Sequence, residues 1–536
     1  MRIRALAALA AMLAAALTVA PGRQAHAVTT QPRPNVVVIE TDDQTVSELT
    51  RATMPSTLAA LADQGTQFTD SVVSAPLCCP SRAGFLTGQY PHNDGVYDNT
   101  PGYPALIAKD HTLFTDLQAN GYRTGIVGRF LLNYTVAPPP GADYPDSLGG
   151  ALAPPGVDDW FGYIESAAIY YNALFSDNGI KYRAGVDPTT GYTTNVINRE
   201  AVDFVADHAQ SAQPFFLWVT QVAPHTSDSP QTDACGGGTP IPESSSYPPF
   251  AAAPLPRPPS FNEKRISDKP HWVRARRRIQ PDRLELLRRG WRCALASLTS
   301  VDRGVSQVIA ELTATGELDN TAIFFTSDNG LLFGEHRLVQ DKSYPYEEAL
   351  RVPLLARVPR AYLALPPDAG PPRTIDAPVT QLDLAATILD LTSTAPCTSG
   401  GCRGVDGRSL LPLLERAHDA WPKRRATLIE IGNPSCTRNP ATRNGLTNFY
   451  AGIRTPRFIY LKLHHVNPAT GLCDRTEYEL YDLKRDPYEL DNIAVNPEFR
   501  HPSDVQRGLA ARLRSLRSCA GIADRDPQVP GRPYCE

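Results

Sequence analysis

Cys78, Cys79, Pro80, Ser81 and Arg82, followed by Leu86, Thr87 and Gly88, bring a sulfur nucleophile and a guanidinium into one short stretch of chain. Pro80 favours the first turn of a helix, where its missing N–H costs nothing, and Ser81, Arg82, Ala83 and Phe85 continue that helix. Cys78 then stands at a helix N-terminus, where unpaired backbone N–H groups and the helix dipole favour an anion. Arg82 adds a permanent charge whose forked donors match a tetrahedral oxyanion, and a sulfate group fits that description. Two plainer readings stay open. Cys78 or Cys79 is half of a disulfide, or Cys78 is a thiolate nucleophile with a lowered pKa.

A second set of residues supplies hard oxygen donors. Asp42, Asp43, Asp328 and Asn329 gather three carboxylates that repel one another without a cation. Ca²⁺ accepts carboxylate and amide oxygens without strict geometry, and suits the set better than magnesium. Zinc is disfavoured by so few histidines. Taken singly, Asp42-Asp43 also reads as a turn or helix cap, and Ser327-Asp328-Asn329-Gly330 as a turn. His225, in Ala223-Pro224-His225-Thr226, is either a proton-transfer group or a capping residue.

Local patterning indicates what positions these groups. Buried-strand patterns at residues 35–39, 215–220, 322–326 and 125–127 run into Asp42 and Asp43, His225, Asp328 and Asn329, and Arg129 respectively. Helical patterns lie between them, such as 54–62 closed by Gly65 and 112–120 closed by Gly121. The alternation predicts an α/β fold with a large, mainly parallel sheet flanked by helices. Its ligands belong beyond the carboxyl ends of the strands, so the four strand ends are expected to converge on one crevice. A Pro-rich stretch at 241–259 reads as a surface loop. After a helix at 383–391 the chain turns charged and Pro-containing near Lys423, which places a domain boundary there. Strands at 427–431, 451–454 and 458–463 and a helix after Asp504 then predict a smaller C-terminal α+β domain. The expected organisation is a segment 1–27, a main domain 28–420 and a C-terminal domain 421–536.

The bulk properties exclude some partners. Net charge is −4, with 52 basic and 56 acidic residues, so nothing in the balance points to nucleic acid or an anionic membrane. Residues 1–27 read as a secretory signal: Arg2 and Arg4, an apolar stretch 5–20, and Ala25-His26-Ala27 as cleavage site. No later run reaches the ~20 apolar residues of a membrane span, so export without membrane anchoring is expected. Ten cysteines fit an oxidising compartment. Apart from Cys78 and Cys79 they form an even set compatible with four disulfides, with Cys397–Cys402, Cys436–Cys473 and Cys519–Cys535 the expected neighbours. Arg274, Arg276, Arg277, Arg278, Arg283, Arg288, Arg289 and Arg292 read as a solvated helical face, with binding of sulfated polysaccharide the alternative. Trp272 and Trp291 read as core residues rather than sugar platforms.

Cys78-Cys79-Pro80-Ser81-Arg82 through Gly88 resembles the signature of the type I sulfatases, which share the alkaline-phosphatase-like fold. Thr41-Asp42-Asp43-Gln44, Thr326-Ser327-Asp328-Asn329-Gly330, Gly334-Glu335-His336-Arg337, Lys342, and Glu479 to Leu483 with Asp486-Pro487 are similar to further motifs of that family. Tyr90-Pro91-His92-Asn93, Pro155-Gly156, Trp160-Phe161-Gly162 and Lys269-Pro270-His271-Trp272 resemble its N-acetylglucosamine-6-sulfatase branch. The resemblance implies that a formylglycine-generating enzyme oxidises Cys78 to formylglycine, whose hydrate attacks sulfur. It implies Ca²⁺ bound by Asp42, Asp43, the residue at position 78, Asp328 and Asn329. Arg82 and Lys342 would bind formylglycine and sulfate, and His225 or Lys342 would protonate the leaving oxygen. The chain departs from the pattern at Gly128-Arg129-Phe130-Leu131, where the family commonly has Gly-Lys-x-His. Arg129 can hold sulfate but cannot give up its proton. Leu331 and Leu332 stand where the branch often has a histidine, and His336 is a possible substitute. The implied substrate is a sulfated amino sugar or glycosaminoglycan. A phosphoester or phosphonate-ester hydrolase and a non-catalytic glycan-binding protein are the alternatives.

Overall fold

The apolar run Asn35–Thr41 (β1), buried along its whole length, becomes a central strand of a ten-stranded sheet in the computed structural model. The structure describes residues 33–134, 152–229, 234–365, 369, 374–396, 404–416, 421–422, 425–432, 448–466, 473–498 and 500–536. In chain order the other nine strands are Thr66–Phe68 (β2), Arg123–Arg129 (β3), Asp159–Tyr163 (β4), Leu174–Asp177 (β5), Ile180–Arg183 (β6), Phe215–Thr220 (β7), Thr321–Ser327 (β8), Leu354–Arg357 (β9) and Thr374–Ile375 (β10). Their spatial order is β10-β2-β9-β8-β1-β7-β3-β4-β5-β6. The five strands from β8 to β4 are mutually parallel. Antiparallel β9 joins one side of that block and the β5–β6 hairpin the other. The α/β expectation therefore holds.

Alternation along the central strands explains why both faces are covered. Val36, Val38, Phe216, Trp218 and Phe324 face one core, with Phe85 and Leu86 of Cys78–Thr87 (α1), Phe114 of Leu113–Ala119 (α2) and Ile388 of Gln381–Leu391, defined below as α5. Val37, Ile39, Leu217, Val219 and Phe325 face the other, with Ile197 and Phe204 of Thr193–His208 (α3) and Val301 and Val305 of Pro281–Ala314 (α4). A strand buried on both faces reads as a continuous apolar run, as these do. Helix α2 starts on Thr112, whose hydroxyl accepts from the Thr115 N–H. Helix α5 (Gln381–Leu391) starts likewise on Thr380. The Pro-rich stretch holds only two single turns, Ser244–Ser246 and Pro248–Phe250.

After α5, a four-stranded antiparallel sheet follows: Thr427–Ile431 (β11), Asn448–Arg454 (β12), Phe458–Val466 (β13) and Cys473–Asp482 (β14), in that order. One face packs on Tyr346, Leu350 and Val352, the other on Leu513 and Leu516 of Asp504–Leu516 (α6). Strand β14 was not expected. Its first half is an edge of Asp474, Arg475 and Thr476 with little burial, so the polar sequence conceals it. Cys519–Cys535 is bonded as expected, and Cys235–Cys293 is a second disulfide. Cys473 is also disulfide-bonded. The segment 1–27, the boundary near 420, Cys397, Cys402 and Cys436 lie outside the described residues. Among the described residues, no helix is long and apolar enough to cross a membrane.

Candidate active site

The carboxyl ends of β1, β8, β7 and β3 meet the N-terminus of α1, as parallel topology requires. Cys78 is the first residue of α1, buried and not disulfide-bonded. Its Sγ lies 3.0 Å from Lys342 Nζ and 3.6 Å from Asp42 Oδ1. Asn99 Oδ1 accepts the Cys79 N–H at 2.8 Å and so caps the helix from a distant loop. Beyond β1, Asp43 turns at φ 72°. Its Oδ1 accepts from Lys342 Nζ at 2.5 Å and from Asn329 Nδ2 at 2.6 Å, and its backbone N–H donates to Asp328 Oδ1 at 3.1 Å.

Arg82 is fully buried and spends its fork on the cluster. Nε donates to Asp328 Oδ2 at 3.0 Å, Nη2 to Asp42 Oδ2 at 3.3 Å and Nη1 to the Arg129 carbonyl at 2.9 Å, with Glu40 Oε1 3.2 Å from Nη1. Arg129 is the last residue of β3 rather than beyond it, and its Nη1 lies 2.9 Å from Asp42 Oδ2. His225 follows β7, with Nδ1 2.6 Å from the Thr226 carbonyl and Nε2 3.7 Å from Asp43 Oδ2. A carbonyl only accepts, so Nδ1 carries the proton and Nε2 is the atom free for exchange. The Tyr170 hydroxyl donates to the His225 carbonyl at 2.6 Å. The structure thus brings Cys78, Arg82, Arg129, His225, Lys342, Asp42, Asp43, Asp328 and Asn329 into one crevice.

The electrostatics separate the carboxylates. Burial alone would raise Asp42, but Arg129, His225, Arg82 and Lys342 outweigh it and hold the carboxyl below the usual range. Burial and neighbouring Asp42 push Asp328 up to about 6. Burial, then Asp42, pushes the Cys78 thiol well up, which runs against the plain thiolate reading. Burial, then Lys342, lowers His225. The donor set fits a hard divalent cation. One oxygen each of Asp42, Asp43 and Asp328 lies within 4.8 Å of the others, and buried Asn329 Oδ1 has no hydrogen-bond partner.

Gly128 sets the approach of β3 to β7. It has φ 112°, and a Cβ there would lie 1.9 Å from the Thr220 carbonyl oxygen. Gly128→Ala is expected to push β3 off β7 and displace Arg129, costing about 3 kcal/mol or more. A lowered unfolding midpoint with reduced turnover would show it.

Other expected residues fall elsewhere. His336 is buried, with Nδ1 2.8 Å from Glu263 Oε2 and its ring stacked on Tyr346. It groups with Glu348 and Glu489, not with Cys78. Leu131, Leu331 and Leu332 are core residues. Trp291 packs on Phe333 in the core, whereas Trp272 is half-buried and stacks on Tyr344. Sequence reasoning missed Glu40 and Asn99. Glu40 had a signal, a lone carboxylate inside an apolar strand run, while Asn99 had none.

Residues 34–394 match the family described as "Sulfatase", and residues 334–519 match "N-sulphoglucosamine sulphohydrolase, C-terminal". N-acetylglucosamine-6-sulfatase of Homo sapiens is 32% identical over 528 residues, covering 93% of this chain and 87% of the relative. The solved complex of BT4656 with its substrate D-glucosamine-2-N,6-O-disulfate superposes with a TM-score of 0.67 at 23% identity, covering 90% of this chain and 97% of that one. A phosphonate monoester hydrolase from Silicibacter pomeroyi shares the fold at a TM-score of 0.64 and 22% identity, covering 93% and 99%. With that family match across most of the chain, and with a full-length relative 32% identical, the chain belongs to the sulfatases, hydrolases of sulfuric esters.

Proposed function

We propose that the chain is a secreted sulfatase that removes sulfate from sulfated amino sugars or glycosaminoglycans, using formylglycine made from Cys78 and a bound Ca²⁺. The observation that carries the reading is the place of Cys78. It stands at a buried helix N-terminus, between Lys342 Nζ at 3.0 Å and Asp42 Oδ1 at 3.6 Å, against an oxygen-donor set with an unpartnered amide oxygen. A side chain held there faces cations on one side and cation-binding oxygens on the other.

Asp42, Asp43, Asp328 and Asn329, with the residue at position 78, would hold the Ca²⁺. When present, the ion polarises sulfate oxygens and formylglycine supplies a hydroxyl nucleophile as its hydrate. The chain's own groups do the positioning. Arg82 holds Asp42 and Asp328 at fixed angles and keeps permanent charge beside the sulfate site. Lys342 reaches both position 78 and Asp43, so it can bind sulfate oxygens without leaving the cluster. Arg129 holds sulfate as a fixed cation. His225 Nε2, partly exposed at the crevice, is placed to exchange a proton with the leaving oxygen. The net change is sulfate ester plus water to alcohol plus sulfate.

The relatives supply the substrate class, since the human relative is an N-acetylglucosamine-6-sulfatase and a solved relative holds a disulfated glucosamine. Parallel assays on N-acetylglucosamine-6-sulfate, the matching phosphate ester and a phosphonate monoester test the proposal. Turnover is expected to favour the sulfate ester by at least about 100-fold, to fall on chelation and to return with Ca²⁺. Preference for the phosphonate, or indifference to chelation, would refute it.

A further inference from the structure

Residues 337–342 join the crevice to a groove of opposite character. At one end Lys342 Nζ touches Cys78 Sγ. At the other, Arg276, Arg277, Arg278, Arg283 and Arg337 line a groove of about 340 Å³ with Val339 in its wall. Arg337 donates to the backbone carbonyls of Glu263, Arg276 and Lys264. These bonds to neutral carbonyls fix its guanidinium, with the Glu263 carboxylate the opposite charge near it. Arg276 donates to the Tyr344 hydroxyl at 2.7 Å and lies 3.8 Å from Asp341. Among the described residues, no carboxylate pairs with Arg277, Arg278 or Arg283, all exposed. The groove therefore sets five guanidiniums against two carboxylates, Asp341 beside Arg276 and Glu263 near Arg337, a net positive charge that attracts an anion.

A solvated helical face does not account for it. Arg276, Arg277 and Arg278 lie in an irregular link between His271–Arg274 and α4, not on a helix. Two residues, Gln340 and Asp341, separate Val339 from Lys342, so the two backbones lie at most about 10 Å apart. The wall of the groove is thus joined by a short stretch of chain to the lysine that touches Cys78, and guanidinium forks match sulfate and carboxylate groups.

We propose that this groove is a subsite for the sulfate and carboxylate groups of sugars flanking the one being desulfated, so that the natural substrate is a polyanionic oligosaccharide. The proposal rests on the sulfatase reading above and names its substrate more closely. The test compares the wild type with the triple variant Arg277→Gln, Arg278→Gln, Arg283→Gln, whose changes are all on the surface. For a heparin-derived hexasaccharide, KM is expected to rise about 10-fold with kcat unchanged, and the difference to vanish in high salt. KM for N-acetylglucosamine-6-sulfate is expected to stay the same. Hexasaccharide binding, followed by fluorescence anisotropy on each protein with Cys78→Ala added, is expected to weaken by the same factor. Equal binding with and without the three arginines would overturn the proposal. Equally tight wild-type binding of a single-stranded oligonucleotide of the same charge would overturn the assignment to polysaccharide. Arginine-dependent binding without turnover of any sulfate ester would support the groove and refute the catalytic reading instead.

Discussion

Cys78→Ala is expected to lower kcat by on the order of 10⁴-fold or more while leaving the protein folded, because it removes the proposed nucleophile and little else. The buried side chain is small, and its polar contacts are Lys342 and Asp42, which also hold one another at 3.9 Å. The stability cost should stay near 1 kcal/mol, visible as an almost unchanged unfolding midpoint. Cys78→Ser restores a hydroxyl but not a second one to expel sulfate. It is expected to fail in steady-state turnover nearly as completely. Activity within 10-fold of wild type in either variant would remove position 78 from the chemistry.

Arg82→Met is expected to cost both activity and about 3–5 kcal/mol of stability, because it strips the shared cation from Glu40, Asp42 and Asp328. The side chain is fully buried, so water cannot replace the lost charge. Arg82→Lys keeps the charge, but an ammonium cannot serve two carboxylates and the Arg129 carbonyl with one planar fork, so only part of the stability should return. Arg129→Met provides the comparison. Among the described residues Arg129 pairs with one carboxylate, that of Asp42, so its loss should reduce activity with a smaller shift in midpoint. Thermal unfolding beside activity assays separates the two effects. An Arg82→Met protein as stable as the wild type would mean that the carboxylates are not held by this charge.

Much of this site could be read before folding was considered, for a local reason. Asp42, Asp43, His225, Asp328 and Asn329 each follow a strand whose buried, apolar pattern is unmistakable, and parallel topology brings such strand ends together. What was hidden depends on contacts distant in sequence. Asn99 caps α1 from outside the helix, and nothing near residue 99 announces it. Glu40 points to Arg82 from within β1, although a carboxylate in an apolar strand is itself a signal. Arg129 looked like a residue beyond a strand because Gly128 interrupts the pattern, yet the ladder runs to the end of β3. Strand β14 was missed because its exposed edge is polar, whereas Cys235–Cys293 is the pair left over once the three neighbouring pairs are drawn from eight cysteines.

The central claim, that the working nucleophile is made from Cys78, is tested most directly by the mass of the peptide spanning that residue in protein from its native host. Conversion to formylglycine predicts a mass about 18 Da below that of the thiol, in the same preparations that hydrolyse sulfate esters. An unmodified thiol, or a disulfide at Cys78, in fully active protein would contradict it.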